Sequence, residues 1–224
     1  MRDIEELVRN RQRVRAHRAI QRWMKHNNDL PSKMMACDWY RRLGDVFKAY
    51  QTIKPKEFKF HLVTSNSPEA KQYLWCARIL NLMGASAYAL QIVERLPSFQ
   101  GADENQVIGN IYLSNFEPKL AIPFLKKSFL KHTNNPSYRA RFARLAMVDA
   151  LMETHQNDAA LNYLNSIHAL DDETLFQGIL LQVKGEALAR MGKWSQAMVC
   201  LKRAHRFYPK EQGSLDYLFL SKWT

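Results

Sequence analysis

Residues 181–209 read LQVKGEALARMGKWSQAMVCLKRAHRFYP. Small residues stand at Gly185, Gly192, Ala197 and Ala204, and apolar ones at Leu188, Trp194 and Leu201. Pro209 closes the stretch, because proline can neither donate a helical hydrogen bond nor avoid a clash with the turn before it. Around this segment the whole chain is written in helix-forming residues. Only 8 of its 224 residues are Gly and 8 are Pro, while Ala, Leu, Lys, Arg, Gln, Glu and Met abound, and these lose least on entering a helix. Alternating, strand-type patterns are hard to find.

The eight positions resemble the tetratricopeptide repeat offset for offset. The resemblance implies two antiparallel helices. Gly185 and Ala197 are the small residues that let them approach, Gly192 permits the tight turn between them, and Trp194, Leu201 and Ala204 fill the seam. The same frame, laid upstream, finds looser copies. One starts near Arg141, with Val148, Leu151, Ala160, Leu164 and Ile167 in place and His155 replacing the turn glycine. Another starts near Ala102, with Gly109, Tyr112, Ala121, Leu125 and Ser128; its Pro118 suits a helix start and its Pro123 is expected to distort the helix. A third, near Ala70, has Tyr73, Ala77, Leu80, Gly84, Ala89 and Val93, ending at Pro97. Before it, Tyr40, Leu43, Gly44 and Phe47 suggest a first helix starting near Cys37, followed by a degenerate second helix around Pro55 to Val63. Ala19, Trp23 and Pro31 match part of an incomplete leading unit.

Starts at 37, 70, 102, 141, 178 and 212 are 33, 32, 39, 37 and 34 residues apart, near the roughly 34 of this repeat class. Residues 134–136 and 170–173 are read as inter-repeat loops. The expected fold is all-α: a right-handed superhelical solenoid of about five antiparallel helix hairpins, some irregular. A basic N-terminal helix or incomplete leading repeat occupies residues 1–36 and the repeats residues 37–210. An apolar capping helix, or the start of a further repeat, occupies residues 211–224.

Function classes narrow by what the sequence lacks. No GxGxxG, GxxxxGK[ST], HExxH or GxSxG occurs, so the common phosphate cradles and nucleophile elbows are absent. The seven histidines share no helical metal-site spacing with an acid, and Cys37, Cys76 and Cys200 lie far apart in apolar contexts, as reduced core residues would. No enzyme activity, metal or cofactor is expected. No apolar run approaches the roughly 20 residues of a membrane span, and Met1 to Arg22 is charged without a secretory apolar stretch; a cytoplasmic protein is expected.

Of the net charge of +12, residues 1–59 carry +8. Arg9, Arg11, Arg13, Arg15, Arg18 and Arg22 fall on what reads as one continuous helix from Asp3 to His26, spread over most of its polar circumference. Such a patch is a solvated face, an acidic-protein dock or a phosphate contact. Ligands of the resembled family lie in the concave groove formed by the first helix of each hairpin. The corresponding polar positions here are Lys71, Arg78 and Asn81, then Gln106 and Asn110, then Asp149 and Glu153, then Gln182, Glu186 and Arg190. The Lys/Asn clamp that the chaperone-binding members use for a C-terminal carboxylate is not met, since Leu74 and Arg78 stand in its first positions. The resemblance thus implies a protein-interaction module, an adaptor, scaffold or assembly factor, that binds a partner peptide or helix of mixed charge. Two alternatives remain: a nucleic-acid-associated protein using the arginine-rich helix, and a homo-oligomeric scaffold closed by the C-terminal helix.

Overall fold

A computed structural model describes residues 2–64, 67–132, 138–167 and 174–207. Pro209, the two expected loops at residues 134–136 and 170–173, and the apolar segment 211–224 lie outside the described residues. Among the described residues every regular element is helical. In order these are α1 (Arg2–Arg9), α2 (Arg13–Met24), α3 (Leu30–Arg42), α4 (Val46–Ile53), α5 (Pro68–Leu82), α6 (Ser86–Val93), α7 (Ala102–Ser114), α8 (Pro118–His132), α9 (Tyr138–Glu153), α10 (Asn157–Asn165), α11 (Thr174–Arg190) and α12 (Trp194–Phe207), with a short 3-10 turn at Phe60–Leu62. The chain divides into two compact units, Met1–Glu117 and Pro118–Thr224. In the first, α1 packs on α2, α3 on α4 and α5 on α6, and α7 follows against α5 and α6; in the second, α8 packs on α9, α9 on α10 and α11 on α12.

One backbone device recurs through all of this. Positive φ occurs at Arg11 (52°), Gly44 (78°), Gly84 (81°), Phe116 (60°), His155 (59°) and Gly192 (73°), each in a short helix-to-helix turn. In each turn that residue donates its N–H to the carbonyl three back, and the next residue donates to the carbonyl five back: Lys193 to Leu188 at 2.9 Å, Gln12 to Leu7 at 2.9 Å. These are Schellman caps, which satisfy carbonyls that the helix end leaves orphaned.

Each turn sets a register for the helix that follows. Five residues on stands an alanine every time, Ala16, Ala49, Ala89, Ala121, Ala160 and Ala197, none more than 2% exposed. Nine residues on stands Ile20, Ile53, Val93, Leu125, Leu164 or Leu201, again buried. Seven residues before the turn lies Ile4, Cys37, Ala77, Gly109, Val148 or Gly185, all buried on the preceding helix. In the last pair the approach is so close that a Cβ on Gly185 would lie 2.6 Å from the Leu201 side chain and 3.3 Å from the Ala197 carbonyl.

This register corrects four readings of the sequence. The stretch from Asp3 to His26 is not one helix: the chain reverses at Arg11, and α1 and α2 pack as a pair. Gly44 is a turn residue, so the helix expected to start near Cys37 is α3, and its partner is α4 rather than Pro55 to Val63. Pro31 lies in the first turn of α3, whose N-cap Asp29 accepts a hydrogen bond from the Ser32 N–H at 2.8 Å; it does not terminate α2. Trp194, expected in the seam, is 45% exposed. Cys37 and Cys76 are buried, and burial pushes the Cys37 thiol up to about 12, so it stays protonated and inert.

The turns separate backbone strain from packing. A Cβ on Gly192 would meet no atom within 4 Å, so Gly192→Ala is expected to cost about 1 kcal/mol through the left-handed backbone alone. Phe116 is 93% exposed, so Phe116→Gly removes strain without opening the core and is expected to gain a few tenths to about 1 kcal/mol. Gly185→Ala, by contrast, is expected to cost about 1–3 kcal/mol by overpacking. Urea unfolding of the three variants checks both the signs and their order.

Candidate functional site

In the first unit the expected groove residues sit on α5 and α7, two first helices that pack side by side. Asn81 near the end of α5 donates through Nδ2 to Ser114 Oγ on α7 at 3.1 Å, bridging the two helices. Its own Oδ1 is buried and accepts no hydrogen bond. One and two turns back, Gln106 donates to Asn110 Oδ1 at 3.1 Å. Arg78 lays its guanidinium 4.9 Å from the centre of the Trp75 ring, and Lys71 is exposed at the far end of α5. This face is therefore amide-rich and half-buried.

The second unit repeats the geometry with charge. Arg190 on α11 donates to Glu153 Oε1 on α9 at 2.8 Å and to the Met152 carbonyl at 3.0 Å. Gln182 donates to Glu186 Oε1 at 3.2 Å along α11. Asp149 lies between these groups. Its side chain is open to solvent, yet protein crowds it from the sides, and this desolvation, with the nearby charges of Glu186 and Glu153, raises its carboxyl to about 6; Arg190 opposes the rise. Among the predicted groove residues, a direct contact between two helices is thus made in the second unit, where Arg190 on α11 meets Glu153 on α9.

The arginine patch is placed differently from its sequence reading. Arg9 ends α1 and Arg11 occupies the turn, while Arg15, Arg18 and Arg22, followed by Lys25, recur at i, i+3, i+7 and i+10 along α2. At 100° per residue these four fall within about 80° of each other, opposite the buried Ala16 and Ile20. Arg9, Arg11 and Arg13 lie off this stripe, which is why the full set looks spread when drawn on one long helix. Arg13 lies beside His17, whose ring is wedged edge-on against Tyr40 at 5.1 Å and stands 3.7 Å from Asp45.

Sequence reasoning also missed the clamp that holds this hairpin. Glu5 on α1 accepts from Trp39 Nε1 at 2.5 Å and from Arg42 Nη1 at 2.8 Å, both on α3. The Trp39 hydrogen bond, reinforced by Arg42, holds the Glu5 carboxyl below its usual range. The pairing spans more than thirty residues, and no local periodicity signals it. Ser114 and Asn115 were likewise invisible; Asn115 donates to the Ser86 carbonyl at 3.1 Å and ties the α7 end to the start of α6.

No protein-family model matches the chain, and no curated protein matches it in sequence. Solved structures do match. YrrB, described as a TPR (tetratricopeptide repeat) protein with an unusual peptide-binding site, aligns at a TM-score of 0.60 and 16% identity over 88% of this chain and 96% of that one. A Podosopora anserina putative kinesin light chain with TPR-like repeats aligns at 0.62 and 14% identity, over 82% and 96%. Cut9–Hcn1, a hetero-tetramer of the APC/C, gives 0.73 at 13% identity over 93% of this chain but only 39% of its own. At these identities the likeness establishes the fold: the chain is a tetratricopeptide-like, all-α helical repeat protein. Among the described residues no helix is long and apolar enough to cross a membrane, and no cluster of His, Cys, Asp and Glu could hold a metal ion.

Asp149 supplies a test of the charged face. A carboxyl raised on folding favours the folded state below its unfolded value near 3.8, and that advantage is lost as pH rises through about 6. Asp149→Asn is therefore expected to raise the melting temperature at pH 7.5 and to leave it unchanged near pH 3. Because the carboxyl still reaches water, the gain is expected to be under about 1 kcal/mol. Melting curves at the two pH values check it.

Proposed function

We propose that the chain is a protein-interaction module that takes a partner peptide or helix on the faces of its first helices. The observation that supports this best is the chemistry of those faces. The positions that resemble the family's groove carry amide and charged side chains on adjacent helices, and the bridges between them, Asn81 to Ser114 and Arg190 to Glu153, leave Lys71, Asp149 and Glu153 exposed. Such groups read a peptide backbone and its charges without opening a core. YrrB, one of the fold matches, is described as having a peptide-binding site, and Cut9 stands in a hetero-tetramer with Hcn1; both lend support to the same reading here. In the second unit Asp149, Glu153 and Glu186 outnumber Arg190, so the segment bound there carries basic side chains.

Peptides selected from a random display library on the intact chain test the reading. Lys/Arg-bearing sequences are expected, and the joint substitution Asp149→Lys, Glu153→Lys and Glu186→Lys is expected to weaken them by tenfold or more, with Arg18→Glu as an indifferent control. Unchanged affinity in the triple variant would remove this face from consideration. Deleting residues 1–30 is no substitute, because Ile4, Val8, Ala16 and Ile20 are core residues of the first unit.

A further inference from the structure

We infer that the N-terminal hairpin is a second docking surface, separate from the first-helix faces, and that it receives an acidic amphipathic helix of a partner protein. Between α1 and α2 an open cleft of about 670 Å3 is floored by Ile4, Leu7, Ala19 and Trp23. Leu7, Ala19 and Trp23 are only partly buried, so their apolar surface faces outward into the cleft as well as inward to the core. Arg22 and Lys25 form one wall, and the same two residues join Arg18 in lining a neighbouring hollow. An apolar trough therefore runs beside a cationic ridge.

The ridge identifies the occupant. Arg18, Arg22 and Lys25 are exposed, and among the described residues none has a carboxylate within 4 Å. Arg41 and Arg42 of the neighbouring α3, by contrast, are tied to Asp38 and Glu5. A helix that places apolar side chains at i, i+3 or i+4 and i+7 against the floor would carry its flanking carboxylates over the stripe at i, i+3, i+7 and i+10. Charge complementarity of this kind sets partner choice and association rate. A nucleic acid fits less well. Phosphates would gain nothing from the apolar floor, and Trp23, which lines the trough, is engaged edge-on with Trp39 at 5.1 Å and so is not free to stack on a base.

The test uses the intact chain and three probes: a designed helical peptide of leucine on one face and glutamate on the other, its lysine counterpart, and a 20-base-pair DNA duplex. Fluorescence anisotropy is expected to show binding of the glutamate peptide alone. Arg22→Glu with Lys25→Glu is expected to weaken that binding at least tenfold, and Ala19→Gln, which fills the floor without changing charge, several-fold, with circular dichroism melts confirming that both variants fold. Binding of the duplex as tight as that of the glutamate peptide, or equal binding of a scrambled glutamate–leucine peptide without an apolar face, would overturn the proposal. So would indifference to the Arg22/Lys25 pair. The acidic face of the second unit takes no part, so the triple reversal at Asp149, Glu153 and Glu186 leaves this binding intact and keeps the two proposals separable.

Discussion

Close approach of paired helices is the constraint on which the rest of the structure depends. Two helices joined by three residues can pack along their length only if the side chain at the crossing is almost nothing. Alanine stands five residues after each of the six left-handed turns among the described residues, and in the last pair the facing position is glycine as well. A methylene added in such a seam forces side chains from their rotamers or the helices apart. Loss of packing here would reach beyond the pair, since a repeat fold draws its stability from neighbour upon neighbour.

The turn itself tolerates more variety than the seam. Glycine occupies three of the six left-handed positions, and Arg11, Phe116 and His155 the others. The Schellman hydrogen bonds are made by backbone alone, so they survive any side chain at a cost of about 1–2 kcal/mol in strain. Because that cost is small, three of these turns lack glycine and still keep their hydrogen bonds. The identity of the turn residue drifts, whereas the alanine and the aliphatic residue four positions later persist because packing is less forgiving than φ.

Polar faces are arranged on this frame with a different logic in each unit. In the first, amides bridge adjacent first helices and the basic charge is displaced to the outer hairpin, held in place by Glu5 against Trp39 and Arg42. In the second, desolvation first and the neighbouring Glu186 and Glu153 second raise Asp149, with Arg190 as the compensating cation. A chain with a net charge of +12 thus carries a cluster of carboxylates as well as a cationic stripe.

Residues 181–209 by themselves determined the helix-pair architecture, because eight spaced small and apolar residues encode a local, near-neighbour packing problem. The same spacing located Ala89, Ala121, Ala160 and Ala197, and it placed Asn81, Asp149 and Arg190 on first helices. Where a turn lacked glycine the reading slipped. Arg11 was absorbed into a continuous helix and Ala19 was matched in place of Ala16, since nothing in the side chain of arginine announces a left-handed backbone. Only the tertiary structure decided the partnership of Glu5 with Trp39 and the bridge from Arg190 to Glu153. Those depend on which helices lie side by side, and contacts between residues thirty or more positions apart leave no period in the sequence.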